Sequence, residues 1–133
     1  MQKIILTESQ KKILANHASN EKPKESSAVL FGTLDSQKTT VKEIFLTENT
    51  DKSPINFTIS NEQLIKCYKT AEEKKMEVVG IFHSHPNSEA YPSNTDKKFM
   101  YSNPVVWVIY SGISNEFKAY MLESDVVEIL IET

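Results

Sequence analysis

His83 and His85 stand one residue apart at the end of the apolar run 78–82, within the stretch GIFHSHPNSEAYPSNTD (80–96). On an extended strand, residues i and i+2 project from the same face about 6.5 Å apart along the chain, so two imidazoles placed this way can converge on one ion. Pro86 removes a backbone donor and ends the strand ladder, which predicts a turn directly after the pair. Ser93 is followed three positions later by Asp96, the spacing of a helix N-cap with a carboxylate in the first turn, where the helix dipole favours negative charge. Two histidines and an aspartate make a nitrogen and oxygen donor set suited to Zn2+, with the fourth position left to water as in a catalytic site. A bare His-x-His pair is a weak signal, because such pairs are common at strand ends, and a polar surface loop is the alternative at this level.

The surrounding elements must deliver these side chains to one place. The hydroxyl-x-x-Gln spacing recurs at Thr7 to Gln10 and at Ser60 to Gln63, each marking a helix start. Behind the first, Ile13, Leu14 and His17 are read as one helical face, and behind the second Leu64, Ile65, Tyr68 and Ala71, which predicts amphipathic helices over about 8–18 and 61–75. Runs with strand character cover 28–34, 41–47, 55–59, 77–83, 104–110, 116–122 and 126–131. Alternation is clearest at Ile55, Phe57 and Ile59, while the run 105–110 is apolar on both faces and reads as the central strand. The segments TLDSQKT and SGISNE have hairpin composition and TENTDKSP that of a longer polar loop. Together these predict an α/β fold, a curved and mostly antiparallel mixed sheet sandwiched by helices, as one domain over 1–133.

Bulk properties narrow the partners. With 133 residues the chain is long enough for one self-sufficient core. A net charge of −3 without a basic stripe argues against nucleic acid as the partner. The longest apolar run is far short of the roughly 20 residues that cross a bilayer, so no membrane span is expected. A lone cysteine, Cys67, cannot form an internal disulfide, and MQKIILTESQKK lacks the apolar run of a secretory signal, so a cytoplasmic protein is expected. Cys67 and His17 read as structural, Trp107 and Tyr110 as core. Glu25, between Lys24 and Ser26 and close to Lys22, would on composition alone be one more solvated charge.

HSHPNSEAYPSNTD resembles the signature of the JAMM (MPN-plus) zinc metalloprotease family, His-x-His-Pro followed downstream by Pro-Ser-x-x-Asp, and KESSAVLFG resembles the segment in which that family carries a glutamate ahead of a strand. TENTDKSPINFTIS and EVVGIFHSHP extend the similarity over nearly the whole chain. The resemblance implies the family's cytidine-deaminase-like fold. It also implies His83, His85 and Asp96 as zinc ligands, Glu25 as general base, and Ser93 as the hydroxyl that holds the developing oxyanion. In that family the usual substrate is a ubiquitin-like protein joined through its Gly-Gly tail to a lysine amine. The chain lacks the larger insertions of some eukaryotic relatives and is similar to compact prokaryotic members, which implies as partner either ubiquitin-like protein conjugates or a sulfur-carrier protein trimmed at its C-terminus. A zinc-holding interaction module with little turnover is the third alternative.

Overall fold

The computed structural model describes residues 2–49 and 59–133. In chain order these form β1 (Lys3–Ile5), α1 (Glu8–Glu21), β2 (Ser27–Asp35), β3 (Lys38–Thr47), α2 (Asn61–Glu73), β4 (Glu77–His85), α3 (Asn94–Ser102), β5 (Val106–Ser111), β6 (Phe117–Leu122) and β7 (Val126–Glu132). The strands run β1-β3-β2-β4-β5-β6-β7, and β1 also pairs with β7, so the expected curved sheet closes into a barrel. The β2–β3, β2–β4, β5–β6 and β6–β7 pairs are antiparallel, while β1–β3, β1–β7 and β4–β5 are parallel. The sheet is therefore mixed and mostly antiparallel, as its hairpin turns predict.

All three helix starts are where the hydroxyl spacing puts them. Thr7 Oγ1 accepts from Gln10 N and Gln10 Oε1 accepts from Thr7 N, a reciprocal capping box. Ser60 Oγ accepts from Gln63 N, while the Gln63 amide bonds the main chain of Glu48 instead of returning to its cap. Ser93 and Asp96 form the second complete box.

Two apolar clusters lie on opposite faces of the sheet. One gathers Ile4, Leu14, Leu30, Phe82, Val106 and Val108 with α1, and the other gathers Val29, Ile81, Trp107 and Ile109 with Cys67 and Ala71 of α2 and Met100 of α3. Strand β5 feeds both, Val106 and Val108 to the first and Trp107 and Ile109 to the second, which is why its run is apolar on both faces. A β-bulge at Phe31/Gly32 brings β2 against β3 so closely that a Cβ on Gly32 would lie 1.8 Å from Thr40 O.

The structure corrects the expected faces of α1 and α2 and adds one strand. Ile13 is exposed and α1 instead buries Leu14 and Ala18 at the i, i+4 spacing. In α2 the buried residues are Cys67 and Ala71, with Leu64 partly covered, whereas Ile65 and Tyr68 face outward. The small side chains of Cys67 and Ala71 let α2 approach the sheet, and the larger apolar residues misled the face assignment. Strand β1 was not expected, because three residues carry too little alternation to be read. The strand expected over 55–59 lies, apart from Ile59, outside the described residues. Among the described residues no helix is long and apolar enough to cross a membrane.

Candidate metal centre

Strand β4 carries the site. Ile81, His83 and His85 alternate with Phe82 and Ser84, and Ile81 belongs to the cluster beneath α2 and α3, so both imidazoles project toward those helices. Their ring centroids are 4.8 Å apart at an interplanar angle of 67°. Trp107 on β5 stands edge-on to His83 with centroids 5.7 Å apart and donates Nε1–H to Asn103 O at 3.0 Å, so this core residue also walls the site.

The antiparallel β2–β4 pair sets Ser27 opposite His83, which brings the residues just ahead of β2 beside the histidines. Glu25 is thereby only 3% exposed, against the solvated charge its neighbours suggest. Its Oε1 lies 3.8 Å from His83 Nδ1 and its Oε2 4.0 Å from His85 Nε2. Asn49 Nδ2 holds the Glu25 main chain by donating to its carbonyl at 2.8 Å. On the far side of the strands, Ser84 Oγ accepts from both Ser26 N and Ser26 Oγ at 2.9 Å, and Ser84 N donates to Ser26 O at 3.0 Å. This buried clamp ties the residue after Glu25 to the residue between the two histidines.

From the other side, α3 delivers Asp96. The box that starts the helix also aims it: Asp96 Oδ2 accepts from Ser93 N at 2.8 Å while Ser93 Oγ accepts from Asp96 N at 3.1 Å. Asp96 Oδ2 then sits 3.0 Å from His85 Nε2 and 3.5 Å from His83 Nε2. One ligand atom from each of Glu25, His83, His85 and Asp96 lies within 4.8 Å of the others, and all four residues are buried. Ser93, half-buried, meets this group through Asp96.

Electrostatics follow from the packing. Burial alone would raise the Asp96 carboxyl, but His83, His85 and the Ser93 N–H hold it below the ordinary carboxylate range. Burial would likewise lower the His85 imidazole, yet its bonds to Asp96 and to Glu89 O, with the charges of Asp96 and Glu25, push it above the ordinary histidine value. Two carboxylates buried side by side are costly without a counter-charge, and Glu25 Oε1 has no hydrogen-bond partner among the described residues. An acceptor left open beside two imidazoles and a second carboxylate is what a cation would complete, so the donor set is compatible with a metal site.

The other residues singled out in the sequence have structural roles. His17 Nε2 pairs with Ser27 O at 2.9 Å. Burial pushes the Cys67 thiol up to about 11, which makes it inert. Tyr110 is partly buried and donates to Asn115 Oδ1 at 3.0 Å. Sequence reasoning missed Ser26, Ser84 and Asn49, whose partners lie on distant segments and leave no local pattern.

Comparison with known proteins identifies relatives of this chain. The family model of prokaryotic homologs of the JAB domain matches residues 7–123. A desampylase of Pyrococcus furiosus is 35% identical over 97 residues, covering 73% of this chain and 69% of that protein. A CysO-cysteine peptidase of Mycobacterium tuberculosis is 32% identical over 95 residues, covering 71% of this chain and 64% of that protein, so the chain spans somewhat under two thirds of that relative. The solution structure of a protein from Desulfitobacterium hafniense, 26% identical, superposes with a TM-score of 0.89 over 97% of this chain and 91% of its own. A JAB1/MPN domain protein from Archaeoglobus fulgidus shares the fold at 19% identity, with a TM-score of 0.61 over 100% of this chain and 98% of its own. The match over nearly the whole chain, on the fold these structures share, shows that the chain belongs to the prokaryotic homologs of the JAB domain, compact members of the JAMM/MPN family.

Proposed function

We propose that this chain is a zinc-dependent peptidase of the JAMM type, hydrolysing the bond after the C-terminal Gly-Gly of a ubiquitin-like modifier and releasing it from a lysine amine. The observation that carries this reading is the buried convergence of Glu25, His83, His85 and Asp96 in a chain related to a desampylase and to a CysO-cysteine peptidase. In this reading residues 1–133 act as one catalytic domain, and the single buried cysteine suits a reducing, cytoplasmic setting.

His83, His85 and Asp96 would hold the ion through two imidazole nitrogens and a carboxylate oxygen, donors that suit Zn2+. When bound, the ion would supply a positive charge that polarises the scissile carbonyl and makes water at the site easier to deprotonate. Glu25 is the general base: its Oε1 is free to take a proton from the attacking water and hand it to the leaving amine. The Ser93 oxygen is occupied as acceptor for Asp96 N, which leaves its own O–H to donate to the oxyanion that develops on the substrate carbonyl. Capping and catalysis use different ends of one hydroxyl.

The similarity to a CysO-cysteine peptidase supports a second reading, removal of a residue from the C-terminus of a sulfur-carrier protein by the same chemistry. Rates on two substrates with the same Gly-Gly tail separate the readings, one joined to a lysine side chain and the other extended by a single amino acid. Faster release from the lysine is expected. Faster trimming of the extended carrier would favour the second reading, and turnover of neither by zinc-replete protein would favour an interaction module.

A further inference from the structure

Between β4 and α3 the chain is held by a row of hydrogen bonds to its carbonyls, from residues that lie outside the four-residue cluster. Gly112 N donates to His85 O at 2.8 Å, Ser111 Oγ donates to Ser88 O at 2.8 Å, and the Tyr120 hydroxyl donates to Ala90 O at 2.5 Å. The carbonyl between the last two, Glu89 O, accepts from His85 Nδ1 at 2.8 Å and from Tyr91 N at 2.9 Å.

Each donor is committed to its task. Ser111 is fully buried, and its oxygen accepts from Ile113 N and Ser114 N at 3.2 Å, which directs its proton to Ser88. Tyr120 is buried with its ring edge-on to Tyr91, and burial with Glu128, Tyr91 and Glu116 nearby pushes its hydroxyl up to about 12, so it stays a donor. The β5–β6 turn comes this near only because Gly112 has no side chain, since a Cβ there would lie 2.5 Å from Pro86 O. Peptide units are planar, so anchoring the carbonyls of residues 88 and 90 fixes the planes on either side of the one that carries Glu89 O.

We propose that Ser111 and Tyr120 are positioning residues for the metal centre: they hold Glu89 O where it accepts the hydrogen bond of His85 Nδ1–H, which would present His85 Nε2 to an ion. A ligand histidine whose second nitrogen is held this way has its tautomer and ring angle set in advance. The inference rests on the reading of His85 as a ligand, and it adds two residues of the neighbouring strands β5 and β6, one of them the register partner of His85, that lie outside the four-residue cluster.

The test is a competition titration with zinc and a chromophoric chelator, run on the parent, Tyr120→Phe, Ser111→Ala and, as control, His85→Ala. Thermal melts of the metal-free proteins accompany it. Tyr120→Phe keeps the ring and its packing against Tyr91 and removes only the hydroxyl. Each hydroxyl variant is expected to bind zinc about 10–100-fold more weakly than the parent while folded, the usual effect of losing a partner behind a ligand. In the metal-free proteins, the His85 Nδ1 shift in a ring nitrogen NMR spectrum should move in each variant as its bond to Glu89 O loosens. If both variants bind zinc within about threefold of the parent, below that range, with only their melting temperatures lowered, the hydroxyls brace the loop and nothing more, and the proposal is overturned. Binding by His85→Ala as tight as the parent's would overturn the ligand reading instead, and this inference with it.

Discussion

Glu25→Gln is expected to lower kcat by about 10²–10⁴-fold, the usual contribution of a general base, while the protein keeps its zinc. The amide has the shape of the carboxylate, so packing beneath β2 is retained, as is the main-chain bond from Asn49 to Glu25 O. What is lost is the acceptor: Glu25 Oε1 has no hydrogen-bond partner among the described residues and lies 3.8 Å from His83 Nδ1, a carboxylate oxygen held open inside a buried site. An amide oxygen cannot store the proton between its removal from water and its delivery to the amine. Metal content and single-turnover rate measured on one preparation separate the possible roles. Loss of zinc in this variant would make Glu25 a ligand, which its place within the 4.8 Å cluster also permits. Turnover near that of the parent would remove it from the chemistry.

Ser93→Ala is expected to reduce kcat by about 10²–10³-fold, the effect of deleting one oxyanion donor, together with a loss of about 0.5–2 kcal/mol of stability from the missing cap. The cap is directly seen, since Ser93 Oγ accepts from Asp96 N at 3.1 Å. The reverse bond, from Ser93 N to Asp96 Oδ2 at 2.8 Å, belongs to the backbone and survives the substitution. Asp96 therefore stays aimed at His83 and His85, and zinc is expected to be retained. The rate defect should dominate because a hydrogen bond to the oxyanion strengthens only as charge develops on the substrate. Thermal melts and kcat on the same sample decide the matter. A lowered melting temperature with kcat within about threefold of the parent, outside the oxyanion-donor range, would confine Ser93 to capping.

What could be read in the sequence was local. Ser93 and Asp96 lie three residues apart, and their capping box was legible because a single turn of backbone determines it. His83 and His85 were legible because period two survives wherever the strand continues, and β4 runs through to His85. Glu25 was not legible on physical grounds: Lys22 and Lys24 describe a solvated segment, and only the pairing of β2 with β4 buries the glutamate. It was found through the family resemblance. Ser26 and Ser84 are 58 positions apart, and Tyr120 and Ala90 are 30 apart, so no window along the chain contains either pair. Strand β1 pairs with both β3 and β7, so its place depends on closure of the whole sheet. On α2 the error had a different cause: Ile65 and Tyr68 outweigh Cys67 and Ala71 in hydrophobicity, but it is the two small residues that the helix buries against the sheet, with Leu64 beside them.

The proposed chemistry is cleavage after Gly-Gly at this buried cluster with a metal's help. Its most direct test is the intact mass of the products when a ubiquitin-like modifier, joined through its Gly-Gly tail to a lysine side chain, is incubated with chelator-treated protein before and after zinc is restored. No cleavage is expected from the chelated protein and, with zinc, a modifier ending in a free Gly-Gly carboxylate beside an unmodified lysine. Release of that product in the presence of chelator, or cleavage at another bond, would contradict it.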